Sequence, residues 1–90
     1  MPYITLQRQG KFSKALDAIH DAINNAEGIT DGELNYLLTK ISLMYVGYNG
    51  ESYKVLSDVI KTFECAKLEF YRRKVAPYED EKIKENGDVY

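Results

Sequence analysis

The chemistry on offer gathers in five residues: Lys67, Tyr71, Arg72, Arg73 and Tyr78. Guanidinium forks match phosphate oxygens, and aromatic faces take stacked bases. The local charge points the same way. Residues 61–76 carry five basic and two acidic side chains, residues 77–90 two basic and five acidic, and residues 1–60 five basic and seven acidic. A cationic block beside aromatics, in a chain of net charge -2, suits a compact anion such as a nucleotide. Long DNA or RNA demands many phosphate contacts and is not an expected partner. A structural reading competes. Glu69 stands three and four residues before Arg72 and Arg73, the spacing of helical ion pairs, and the acidic tail follows directly.

Other chemistries lack their residues. The single cysteine, Cys65, excludes an internal disulfide and lies among apolar helix positions, where a free thiol packs as a small hydrophobe. The single histidine, His20, is far from it in sequence, so no cysteine nucleophile with a base is expected. The carboxylates do not repeat at three and four on facing helices, as a magnesium-dependent pyrophosphatase would need. No Gly-rich phosphate loop or zinc spacing occurs. Catalytic residues, metal ligands and cofactors are therefore not expected.

The element that must present the cluster is a long helix from Glu51 to about Lys74–Ala76. Leu56, Val59, Ile60, Phe63, Ala66 and Phe70 form its stripe. Pro77 predicts its end, and Asn49 is a candidate cap at its start. A second apolar line, Cys65, Leu68, Tyr71 and Val75, gives the helix two faces to cover. The first helix runs from Thr5 or Lys11 to Ala26, with Gly28 just after its end. Thr30-Asp31-Gly32-Glu33 matches a capping box before a second helix, whose stripe is Leu34, Leu37, Leu38, Ile41, Met44 and Tyr45. Short connections predict one all-α domain over 1–90: a three-helix up-down-up bundle with a long third helix. Met1–Thr5 is expected as an extended arm. Residues 77–90 are expected as a C-terminal tail docked through Tyr90. A 90-residue chain with a two-sided helix is expected to be a homo-oligomer. No apolar run is long enough for a membrane span, and no signal peptide is evident, so a cytoplasmic location is expected.

The opening Met1-Pro2-Tyr3-Ile4, the phrase Gly32-Glu33-Leu34-Asn35-Tyr36 and above all the ending ECAKLEFYRRKVAPYEDEKIKENGDVY carry a resemblance. The chain resembles a family of short uncharacterised phage and prophage proteins along its whole length. The resemblance implies a viral setting and hence the cytoplasm of a host cell. Some phages encode small helical oligomers that sequester nucleotide signals of bacterial immunity, and this chain is similar to them in size and helicity. The expected function is therefore non-enzymatic sequestration of a phosphorylated small molecule. The alternative is a protein-interaction module, an inhibitor or accessory subunit. Clustered arginines facing a pocket between subunits would favour the first, and an exposed apolar surface the second.

Overall fold

The computed structural model describes residues 3–90, so Met1 and Pro2 of the expected arm lie outside it. The described residues are helical, with no strand among them. They form two compact units, Tyr3–Leu56 and Ser57–Tyr90.

The first unit begins with α1, Leu6–Gly10, capped by the Thr5 hydroxyl, which accepts from the Arg8 N–H at 3.2 Å. Gly10 gives this turn little helical preference. Lys11 and Phe12 donate to the carbonyls three residues back, Arg8 and Gln9. The expected first helix is thus divided, and its main part is α2, Ser13–Asn25. The Gly28 N–H bonds to the Ile23 carbonyl at 2.9 Å, which closes α2 with a six-residue loop. The residue in the left-handed region at that end is Glu27, at φ 58°, ahead of Gly28. The capping box then forms as expected. The Glu33 N–H donates to the Thr30 hydroxyl at 3.1 Å, and the Thr30 N–H donates to the Glu33 carboxylate at 2.8 Å. These bonds, first the one from the Thr30 backbone, hold Glu33 below the usual carboxylate range. Their stabilising effect is present above the unfolded-state pKa and fades as pH falls through the folded one.

The box opens α3, Asp31–Asn49. Asn49 works at its C-terminal end, where its amide donates to the Tyr45 carbonyl at 2.8 Å. The cap of the next helix is instead Ser52, whose hydroxyl accepts from the Val55 N–H at 3.1 Å. That helix, α4, spans Tyr53–Phe70.

Pro77 does not stop the chain's helix. A π-turn, Tyr71–Val75, follows α4 directly and leads into α5, Ala76–Asn86. The Ala76 N–H bonds to the Tyr71 carbonyl, five residues back. The wider turn resets the register, so Pro77 falls in the first turn of α5, where its missing N–H costs nothing. Residues 77–86 of the expected tail are therefore helix, and Val89 and Tyr90 stand exposed.

Burial is sparse. Among the described residues Val55 alone is buried. Within the first unit, α2 and α3 meet around a hollow of about 300 Å³ lined by Ile19, Ile23, Ala26, Ile29 and Leu37. The apolar stripes are present, but a single chain leaves them largely uncovered.

Candidate functional site

The second unit carries all five candidate residues. The π-turn sets where they point. Two α-helical turns span about 7.2 residues, and one π-turn adds about one more. Tyr71 and Glu79, eight residues apart, are thus brought onto one line. The Tyr71 hydroxyl donates to the Glu79 carboxylate. That bond, with the Glu79 charge behind it, raises the Tyr71 pKa above the ordinary phenol value; partial desolvation and the charges of Tyr90 and Asp80 add to the rise. Tyr71 lines a groove of about 570 Å³ with Glu79, Asp80, Ile83, Asp88 and Tyr90. Glu79, Asp80 and Asp88, set against the one cation Lys82, give the groove a net negative lining.

The cations point elsewhere. Arg72 donates to Glu69 in the i,i+3 pair that the sequence offered. Lys67 pairs with Glu64 at 3.2 Å. Both pairs lie toward solvent, where such pairs contribute little stability. Arg73 lines a second, shallower hollow of about 400 Å³ with Ala66, Glu69, Phe70 and Lys74. Tyr78 lies in the first turn of α5, with the Lys82 ammonium 5.5 Å from its ring centre. Tyr71 and Arg73 therefore border different hollows, and neither hollow includes Lys67, Arg72 or Tyr78. Neither of these two hollows is lined by more than one of the five residues.

Two partners were missed from sequence. Glu79 was read only as part of an acidic run, because a separation of eight matches no α-helical contact. Lys74 joins Arg73 at the shallower hollow, and nothing in spacing alone set it apart from its neighbours. Among the described residues no three His, Cys, Asp or Glu side chains are placed to hold a metal ion. No described helix is long and apolar enough to cross a membrane.

The Tyr71–Glu79 bond has an optical signature. A spectroscopic titration near 295 nm is expected to show one phenol ionising above the others. Tyr71→Phe should remove that component, and Glu79→Gln should bring it down. A Glu79→Gln titration identical to the parent's would refute the bond. Since the neutral phenol is favoured in the fold, this contribution is complete below the unfolded-state pKa and is lost as pH rises through the folded one.

A family model described as Domain of unknown function (DUF6899) matches residues 1–89. The chain belongs to this family. The match takes in the first unit and nearly all of the second. No curated protein and no solved structure matches the chain.

Proposed function

We propose that this chain is a non-enzymatic protein-interaction module that works as a helical homo-oligomer. One observation carries the reading: the apolar surface left open on α3, where Leu34, Leu38, Ile41, Met44 and Tyr48 are all exposed. A helix apolar on most of its faces is stable only when covered. The three-helix bundle expected from sequence is then completed between chains. Light scattering at micromolar concentration is expected to return a multiple of 10.3 kDa. A folded, fully helical monomer would sink this reading.

A second reading, sequestration of a phosphorylated small molecule, is supported by one feature. The π-turn carries Arg72, Arg73 and Lys74 consecutively, and Arg73 and Lys74 border an open hollow rather than the acidic groove. In an oligomer a neighbouring copy would close that hollow and bring further cations to it. Lys67, Tyr71, Arg72, Arg73 and Tyr78 would then act as parts of a site between subunits. The resemblance to phage proteins supports a nucleotide immune signal as the ligand and the host cytoplasm as the setting. Calorimetry with cyclic and linear nucleotides decides it, with Arg72→Ala and Arg73→Ala as controls. Two charge-assisted contacts and one stacked base suit a micromolar ligand, about -8 kcal/mol. Absence of binding, or equal binding by both variants, would leave the interaction module alone.

A further inference from the structure

Two Asn-Gly pairs stand at corresponding places. Asn49-Gly50 closes α3, and Asn86-Gly87 closes α5. Their backbones are nearly the same. Gly50 has φ 85°, and its N–H donates to the Val46 carbonyl at 2.9 Å. Gly87 has φ 87°, and its N–H donates to the Ile83 carbonyl at 2.8 Å. The left-handed turn calls for glycine after each asparagine. Glycine also leaves its own amide nitrogen free to approach the asparagine side chain, because no Cβ stands in the way.

The asparagine side chains differ. The Asn49 amide donates to the Tyr45 carbonyl at 2.8 Å, one of the orphan acceptors at the end of α3. Shortly beyond it Ser52 caps α4, so the pair is held from both sides. No described residue hydrogen-bonds the Asn86 side chain. Asn86 is exposed, lines the groove beside Tyr71, and is followed by the non-helical residues 87–90.

We infer that Asn86 is a site of spontaneous covalent modification, conversion to aspartate and isoaspartate through a succinimide, and that Asn49 is protected from the same reaction. The Gly87 nitrogen attacks Cγ of Asn86 and gives up its proton. The bond from Cγ to the side-chain nitrogen breaks, and that nitrogen leaves with the proton as ammonia. Water then opens the ring at either carbonyl, giving aspartate from one and isoaspartate from the other. Water is the sole co-reactant. Attack requires the Gly87–Ile83 bond to open, and helix ends open far more readily than helix centres. At Asn49 the Gly50–Val46 and Asn49–Tyr45 bonds must open together. One further hydrogen bond reduces the open population about 10-fold. The product places a new carboxylate in the groove with Glu79, Asp80 and Asp88. It also places negative charge at the C-terminal end of α5, where the helix dipole disfavours it. The isoaspartyl form adds one carbon to the backbone and displaces the Gly87 N–H from the Ile83 carbonyl. The end of α5 thus carries a chemical clock that loosens it with age.

The test ages the full chain at mildly alkaline pH, folded and in guanidinium chloride. Peptides holding Asn49 and Asn86 are then compared by mass and by isoaspartyl methyltransferase labelling. In the folded chain Asn86 is expected to gain one nominal mass unit about 10-fold faster than Asn49. In denaturant the two pairs should react at similar rates. Asn86→Gln should keep its side-chain amide under both conditions, because its longer side chain would have to close a larger ring. A folded chain in which Asn49 reacts as fast as Asn86 overturns the inference. So does an Asn86 that keeps its amide when folded and loses it in denaturant.

Discussion

Dilution alone is expected to unfold this protein. The helical signal at 222 nm should be full at tens of micromolar and fall substantially toward nanomolar concentration. The melting temperature should drop by about 3–6 °C for each tenfold dilution, since tenfold in concentration is about 1.4 kcal/mol for a dimer of this size. The reasoning begins with α2. Its 13 residues are near the limit below which an isolated helix is marginal in water. Its apolar stripe meets α3 only around one small hollow. Longer α3 and α4 gain more from propagation, but their apolar side chains are mostly exposed. Val55 is the single buried residue among those described, and one buried valine contributes about 1.5–3 kcal/mol. Ordering each backbone residue costs about 1–2 kcal/mol. The proposed homo-oligomer supplies the burial that one chain lacks, and stability taken from association depends on concentration. A melting temperature that stays constant between micromolar and nanomolar protein would refute this account and the oligomer with it.

Deleting Lys74 is the second large expected effect. The deletion removes one residue from the π-turn and returns the segment to α-helical register. Pro77 would then sit inside an uninterrupted helix, its ring against the carbonyl four residues back, at a cost of about 3 kcal/mol or more. The same deletion turns α5 by about 100° relative to α4 and breaks the bond between Tyr71 and Glu79. The second unit should lose helix and protease resistance. Adding Pro77→Ala in the deletion background should restore the helix, though not the Tyr71–Glu79 bond. Substituting Lys74 by Ala, which keeps the chain length, should have little effect. A deletion variant as stable as the parent would show that the π-turn does not serve to accommodate the proline.

That segment marks the boundary of what the sequence can express. The helical stripes, the Thr30–Glu33 capping box and the glycine-marked turns were legible because each is written in local spacing. The continuation past Pro77 was not. Proline statistics describe α-helical register, and no residue pattern before Pro77 announces a turn with bonds five residues long. The partners within the candidate site divided along the same line. Arg72 with Glu69 lies at i,i+3 and was foreseen, whereas Tyr71 with Glu79 exists only because one extra residue enters the turn. Asn49 and Ser52 show a smaller misreading. Both are good caps, and only the path of the chain through Gly50, at φ 85°, decides which helix each one serves. Whether α3 faced inward or stood open was beyond the sequence too, because a stripe looks the same whichever molecule covers it.

In the proposed homo-oligomer, the elbow between α2 and α3 fixes the order of folding and assembly. Its hydrogen bonds all close within five residues, from Gly28 back to Ile23 and between Thr30 and Glu33. Such short loops close on the order of 10–100 ns, and helices propagate within about a microsecond. Nothing in the elbow waits for a distant part of the chain. Encounter between two chains is far slower at cellular concentrations. The elbow therefore presets the direction in which α3 leaves α2 before any partner arrives. In the proposed homo-oligomer, folding is a rapid, reversible local rehearsal followed by a bimolecular commitment.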